Sequence, residues 1–230
     1  MEFVALLPMK EHSERVPRKN FRKLAGKPLF FYIADTLEKS KIFRNLVINT
    51  DSHKISEMAK NRYGEWVVIH KRPKELCGDF TSMNSVIEYD INILGPRCHF
   101  FQTHSTNPFL SLKTIQMAVK DYRNKVVNGK HDSMFSVDIL QTRLYDKKLR
   151  PINHDPNSLL RTQDLDIIYE ENSNFYFFTS ESFNGTKARI GNEPAPFLMA
   201  SDRINSLDID SMKDWNFAEK IIAGNYLNTT

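Results

Sequence analysis

The chain has 230 residues, of which 40% are hydrophobic and 26% are charged, a composition typical of a globular domain long enough to bury a core. Its net charge of +4 is mild and no long run of one sign occurs, which argues against nucleic acid as a partner. Cys77 and Cys98 are too few for a disulfide framework or a zinc site, and the apolar stretch after Met1 ends at Pro8, too short for a signal peptide or a membrane span, so we expect a cytoplasmic protein with no membrane partner.

The predicted elements alternate between strand and helix, which is typical of an α/β fold with a mostly parallel sheet and helices on both faces. The patterns predict strands at Phe3–Leu7, Asn45–Asn49, Trp66–His70, His99–Gln102, Ser133–Val137, Asn174–Thr179 and Ser206–Ile209. They predict helices at Leu29–Lys39, from Asp51 or Ser52 to Lys60, from Thr81 and Ser82 onward, at Ser111–Arg123 and at Asp214–Ala223.

The alternation stops between Ile139 and Tyr169, where polar and loop residues dominate. A long irregular stretch inside a compact domain is usually functional, as a lid or a dimer contact. We therefore predict that residues 1–230 form a single domain with an inserted arm at 139–169.

The loop after the first strand is dense in cations. These are Lys10, Arg15, Arg18 and Lys19. Because open α/β sheets bind ligands at the carboxyl ends of their strands, the loop predicts a site for a polyanion such as a nucleotide. Neither G-x-x-x-x-G-K-[ST] nor G-x-G-x-x-G is present, so side chains are expected to hold the phosphates; the alternative is a solvated basic surface.

Two acids lie two residues apart near the C-terminus, Asp208 and Asp210. On a strand or at its end, residues at this spacing point to the same side. Mg²⁺ takes one or two carboxylates and completes its shell with water and phosphate oxygens. A D-x-D pair alone is more often a cap or a solvated turn, and the cationic loop is what favours a metal here. Asp214 is expected to cap the last helix rather than to join them.

Six segments of the chain stand out as motifs: residues 7–20, 49–52, 72–82 (with Arg72, Asp79 and Ser82), 103–110, 172–176 and 206–214. Their sequences, order and spacing resemble those of the acylneuraminate cytidylyltransferases, which make CMP-activated sialic acids and related ulosonic acids. The resemblance runs over nearly the whole chain.

The resemblance implies a Rossmann-like fold of the nucleotide-diphosphosugar-transferase type, in which the anomeric hydroxyl of an acidic sugar attacks the α-phosphorus of CTP and pyrophosphate leaves. It also implies a homodimer whose arm crosses to the partner. The implied nucleotide ligands are Lys10, Ser13, Arg18, Lys19, Asn20, Arg72 and Ser82. The implied sugar ligands are Gln102, His104, Arg161, Gln163 and Asn172. The implied catalytic residues are Lys19, Arg18 and Asp208, and the implied Mg²⁺ ligands are Asp208 and Asp210.

The chain departs from the family pattern mainly in its first loop. The family's arginine, two glycines and second lysine are replaced by Lys10, Glu11, His12 and Glu14. The family's glutamine before its Pro-Thr-Ser-Pro turn falls at His104, two residues after Gln102. These changes leave alternatives open: an eight-carbon ulosonic acid, a sugar or polyol phosphate, or a catalytically silent nucleotide-binding relative.

Overall fold

The computed structural model describes residues 1–78, 80–96, 98–199 and 203–224, and Asp79 of the third motif lies outside them. The strands are β1 Phe3–Leu6, β2 Lys23–Leu24, β3 Lys27–Pro28, β4 Phe43–Thr50, β5 Val67–Lys71, β6 His99–Thr103, β7 Ser133–Leu140, β8 Ile168–Thr179 and β9 Pro194–Leu198. The helices are α1 Leu29–Ser40, α2 His53–Tyr63, α3 Met83–Leu94, α4 Leu112–Tyr122, α5 Ser180–Thr186 and α6 Met212–Ala223. No helix within these described ranges is both long and apolar enough to cross a membrane.

A seven-stranded sheet in the order β5-β4-β1-β6-β8-β7-β9 forms the centre of the protein. β1 pairs in parallel with β4 and β6, β4 with β5, and β7 with β9. β8 is antiparallel to both of its neighbours. The sheet is therefore mostly parallel, as predicted, with one reversed strand. The strand order changes direction between β1 and β6, the kind of position where open α/β sheets bind ligands.

Alternate residues of β1 divide the core between the two faces of the sheet. Phe3, Ala5 and Leu7 belong to a buried cluster that includes residues of α1, α2 and α4. Val4 and Leu6 belong to a second buried cluster that includes residues of α3 and α5. Helices on both faces are thus confirmed, and burial on both sides explains why the first strand is an unbroken apolar run.

A third cluster joins the two ends of the chain. Val16 of the cationic loop and Ile209 of the acidic segment pack with Trp215 of α6, and all three are almost fully buried. The predicted strand at 206–209 is absent: residues 207–210 have no regular secondary structure, and Ile209 N donates to Thr106 O at 2.8 Å. Apolar packing and single hydrogen bonds therefore hold this segment against the rest of the protein, in place of the regular hydrogen bonding of a β-sheet.

The last helix begins with a capping box. The Ser211 hydroxyl accepts from the Asp214 amide, and the Asp214 carboxylate accepts from the amides of Asp210 and Ser211. The helix-capping role predicted for Asp214 is confirmed, with Ser211 as the N-cap. The cap also fixes the backbone at Asp210, one of the two predicted metal ligands.

The predicted arm lies between the end of β7 and the start of β8, where Leu140 pairs with Ile168 in the central sheet. Residues 141–167 carry only a short 3₁₀ turn and one isolated bridge, Tyr145 to Pro151. The side-chain amide of Asn153 links three parts of the arm through hydrogen bonds to backbone groups of Thr142, Leu144 and Asp166. Eight large apolar side chains of residues 139–169 are exposed: Ile139, Tyr145, Leu149, Ile152, Leu159, Leu160, Ile167 and Tyr169.

Asp35 of α1 is held by three partners. It accepts hydrogen bonds from Arg62 at 2.8 and 3.0 Å, from the Tyr63 hydroxyl at 2.6 Å, and pairs with Lys27 at 2.6 Å. Burial acts to raise the pKa of Asp35, but the bonds from Arg62, Lys27 and Tyr63 outweigh it and lower the pKa to about 2. The ionised carboxylate therefore stabilises the fold.

We expect Asp35→Asn to lower the free energy of unfolding by about 2 kcal/mol at pH 7. A carboxyl whose folded pKa is depressed contributes stability that is present above its unfolded pKa of 3.8 and is lost as the pH falls towards 2. Urea unfolding at a series of pH values should therefore show the difference from wild type shrinking below pH 4. As a control, Asp121→Asn removes one partner of an exposed pair with Lys125 and should change stability by less than about 0.5 kcal/mol. An unchanged urea midpoint for Asp35→Asn would contradict the assignment.

Candidate active site

A cleft of about 380 Å³ opens at the carboxyl ends of β1, β5 and β6, where the strand order reverses. A neighbouring cavity of about 240 Å³ lies along the cationic loop and includes Ser13 and Arg15. Seven of the residues predicted for the site line the main cleft: Lys10, Lys19, Asn20, Arg72, His104, Asp208 and Asp210. Residues from both ends of the chain therefore meet at one place.

Asn20 holds the cationic loop in shape. Its side-chain amide donates to Lys10 O at 2.7 Å, and its carbonyl accepts from the Ser105 hydroxyl at 2.6 Å. The residue is 7% exposed, so these bonds are well shielded from water. Asn20 thus closes the loop on itself and fixes it to the end of β6.

Lys19 joins the loop to the acidic segment. Its ammonium donates to Ile209 O at 2.9 Å and lies 3.4 Å from Asp210 Oδ1, which also receives the Arg15 guanidinium at 2.9 Å. The Lys19 side chain is 13% exposed, whereas that of Arg15 is 66% exposed. Because water screens an exposed pair strongly, Lys19 is the cation that holds the acids and the loop together.

Asp208 lies deeper in the cleft than Asp210. Burial raises the pKa of Asp208, and the charge of Asp210 adds to this rise, while a hydrogen bond from Thr106 and the nearby Lys19 oppose it. Its Oδ1 atom is buried and has no hydrogen-bond partner within the described residues. A buried carboxylate oxygen without a donor is costly unless a ligand satisfies it.

A buried polar network fixes Arg72 at the wall of the cleft. Arg72 donates to the side chain and the backbone carbonyl of Asn49 at 2.8 and 3.0 Å. Asn49 in turn donates to Asp90 at 2.7 Å, and His70 Nδ1 bonds the same carboxylate oxygen at 2.7 Å. His70 is 6% exposed, so its bond to Asp90 is well shielded from water.

Gln102 and His104 meet Arg189, a residue that the sequence patterns did not single out. Gln102 Nε2 donates to Thr103 O at 2.8 Å and lies 3.1 Å from His104 Nε2, while Gln102 Oε1 accepts from Arg189 Nη1 at 2.8 Å. Arg189 Nη1 also lies 3.3 Å from His104 Nε2. With donors on two sides, His104 Nε2 is an acceptor and the ring proton is on Nδ1.

The imidazole of His104 is neutral at physiological pH. Burial lowers its pKa to about 3, helped by the positive charges of Arg189 and Lys19. His104 lines the cleft, whereas Gln102 is fully buried behind it. Of the two residues considered for sugar binding, His104 is therefore the one that faces the cleft.

A bulge in β8 brings Ser173 into the cleft. Phe135 pairs with Tyr176 but Val137 pairs with Glu171, so the chain between them loops out of the ladder. Ser173 has φ 55°, a left-handed conformation that usually favours glycine. In the family motif that residues 172–176 resemble, this position is a glycine. Bulges and strained residues of this kind occur often beside active sites.

Several predicted site residues lie elsewhere. Arg18 is exposed and does not line the cleft, and the Ser82 hydroxyl caps α3 by accepting from Ser85 N at 3.1 Å. On the arm, Arg161 pairs with Asp164 at 2.6 Å and Gln163 O accepts from Gln141 at 2.9 Å. Asn172 accepts from the Ser136 hydroxyl at 2.6 Å, next to the bulge. None of these five lines the cleft of a single chain.

The loop tolerates the side chains that replace the family's glycines. Glu11 and His12 are both described, and neither has a positive φ. Glu11 N donates to Asp51 Oδ1 at 2.8 Å, which ties the loop to the end of β4. The substitutions therefore impose no left-handed strain on the loop.

A mostly parallel sheet with cations and paired acids around a cleft at its switch point defines an α/β protein built to bind a nucleotide. The family model described as "Cytidylyltransferase" matches residues 4–228, and the chain therefore belongs to the cytidylyltransferase family. The chain is 30% identical to the CMP-N,N'-diacetyllegionaminic acid synthase of Legionella pneumophila, over 96% of this chain and 97% of that one. It is 25% identical to the pseudaminic acid cytidylyltransferase of Campylobacter jejuni, over 98% of both chains.

A solved structure confirms the predicted fold. The chain superimposes on a CMP:2-keto-3-deoxy-manno-octonic acid synthetase complexed with CTP with a TM-score of 0.66, covering 98% of this chain and 100% of that one. The sequence identity is 9%, so this likeness concerns the fold.

Proposed function

We propose that the protein transfers CMP from CTP to the anomeric hydroxyl of an acidic sugar of the ulosonic acid class and releases pyrophosphate. The observation that carries the proposal is the meeting of Lys10 and Lys19 with Asp208 and Asp210 in one cleft at the switch point. Membership of the cytidylyltransferase family supports CTP as the nucleotide. The names of the two relatives support a sugar acid as the acceptor.

In this reaction the protein contributes position and charge rather than a covalent intermediate. Lys10 and Lys19 would neutralise the charge that develops on the departing pyrophosphate, as preorganised cations do in other phosphoryl transfers. Arg72, fixed by Asn49 and the buried Asp90, is a rigid donor suited to the nucleotide base. Because these groups are held by bonds already present in the protein, little reorganisation is needed when the substrates bind.

The acids fit a Mg²⁺ ion. Asp208, whose Oδ1 has no hydrogen-bond partner among the described residues, and the half-exposed Asp210 both line the cleft. Mg²⁺ needs only one or two carboxylates when phosphate oxygens complete its shell. Among the described residues no group of three or more histidine, cysteine or acidic side chains forms a fuller cage. A bound Mg²⁺ would supply positive charge to the phosphate oxygens and would lower the pKa of the attacking hydroxyl.

The proposal is tested by measuring pyrophosphate release with CTP, ATP, GTP and UTP against ulosonic acids and sugar phosphates, with and without Mg²⁺. We expect turnover with CTP and a ulosonic acid only, dependent on Mg²⁺. Turnover with a sugar phosphate in place of the acid would contradict the proposed acceptor. CTP binding without turnover on any acceptor would contradict the proposed reaction.

We also propose that the protein is a homodimer whose arm, residues 139–169, crosses to the partner. The exposed apolar side chains of the arm support this, because clustered apolar exposure commonly marks an interface and eight such side chains lie in residues 139–169. Arg161 and Gln163 would then serve the partner's cleft. Light scattering tests the proposal, and a mass of 26.8 kDa, that of one chain, would contradict it.

We further propose a cytoplasmic location. Its support is that Cys77 and Cys98 are free, as is usual for cysteines in a reducing compartment.

A further inference from the structure

Arg189 is a cleft residue held rigidly by uncharged groups. Its guanidinium carbon lies 3.8 Å from the centroid of the Tyr176 ring, and its Nη1 bonds to Gln102 and His104. The stacking fixes the plane of the guanidinium, and the hydrogen bonds fix its rotation within that plane. The group is thus preorganised at the wall of the cleft.

The positive charge of Arg189 has no carboxylate in direct contact within the described part of the chain. Glu171 is the acid that acts on it electrostatically, and that carboxylate accepts a hydrogen bond from the Tyr176 hydroxyl. Burial lowers the pKa of Arg189, as expected for a cation that water solvates poorly. Because His104 is neutral, it adds no second positive charge beside Arg189.

The guanidinium also has unused donors. It carries five N–H groups, and among the described residues only those on Nη1 have hydrogen-bond partners. A planar pair of N–H groups beside a poorly solvated positive charge matches the two oxygens of a carboxylate. In a ulosonic acid the carboxylate is attached to the anomeric carbon itself, so a residue that binds it also orients the attacking hydroxyl.

We propose that Arg189, positioned by Gln102, His104 and Tyr176, binds the carboxylate of the sugar acid and determines the preference for an acidic acceptor. This inference rests on the proposed function and deepens it. It gives Arg189 the role that the family resemblance implied for Arg161. In the described chain Arg161 is already paired with Asp164 and lies on the exposed arm.

The test uses the acid that the wild-type protein turns over, together with its primary carboxamide, which removes the negative charge. For Arg189→Gln we expect kcat/KM for the acid to fall by roughly 10- to 100-fold and the KM for CTP to change by less than about twofold. The wild-type preference for the acid over the carboxamide should largely disappear. Arg189→Lys should keep part of this preference, because it keeps the charge but loses the fork.

Two further variants separate a local role from a general loss of charge. Lys187→Gln removes a positive charge two residues away, from an exposed pair with Glu88, and should leave the preference unchanged. Arg161→Gln tests the competing assignment, in which the arm of the partner supplies the ligand for the carboxylate. If Arg189→Gln keeps the acid preference, or if Arg161→Gln is the variant that loses it, the inference is wrong. If the wild-type protein uses no sugar acid, the proposed function fails first and the inference fails with it.

Discussion

Asp208→Asn is expected to lower kcat for CMP transfer by about 10³-fold without destabilising the protein. The substitution keeps the size of the side chain and removes its charge. Burial raises the pKa of the Asp208 carboxyl, and its Oδ1 atom has no hydrogen-bond partner among the described residues. The fold gains nothing from that charge, so the melting temperature should stay the same or rise. The measurement is kcat from pyrophosphate release beside a thermal unfolding curve.

The pairing of lost activity with unchanged or higher stability is the informative result. An acid retained for structure, such as Asp35 with its bonds to Arg62 and Tyr63, should show the opposite pattern. Asp121→Asn, on the surface of α4, serves as the control and should change neither quantity. A destabilised Asp208→Asn with near-normal kcat would mean that Asp208 is a structural residue and that Asp210 does not act with it.

The strand and helix pattern was largely predictable because it depends on local burial. The first strand is apolar throughout since both of its faces are covered, and the caps of α2 and α6 are serine residues that the sequence displays. The reversed direction of β8 was not predictable in this way. Its aromatic run at 175–178 is fully buried on both sides, like that of a parallel strand, and local sequence does not encode direction.

The site was predictable where it coincides with a motif and not where it depends on distant contacts. Lys19, Arg72, His104 and Asp208 lie in the six motifs, and all reach the cleft. Arg189 follows α5 in a stretch without a motif and meets Gln102 across 87 positions of sequence. Only the pairing of β6 with β8, and the turn after α5, bring the two together. A single arginine in a segment without a motif gives too weak a signal to be identified from the sequence as a site residue.

Lys19→Met is expected to reduce kcat by roughly 10²- to 10³-fold, and the adjacent Arg18→Met by far less. Lys19 is shielded from water and hydrogen-bonded to Ile209 O and Asp210, so in the proposed reaction its charge would act on the phosphates with little screening. Arg18 is exposed, has a left-handed backbone and does not line the cleft, so its charge is screened.

Single-turnover rates with saturating CTP compare these two variants directly, and melting curves check that each is folded. The two residues are neighbours with the same charge, and the family resemblance implies a catalytic role for both. A large loss of rate for Lys19→Met alone would show that the reaction depends on a cation at this position in the cleft, and not on the total charge of the loop. Equal losses would mean that the loop rearranges when CTP binds and brings Arg18 to the phosphates, because the geometry described here gives that side chain no contact with the cleft.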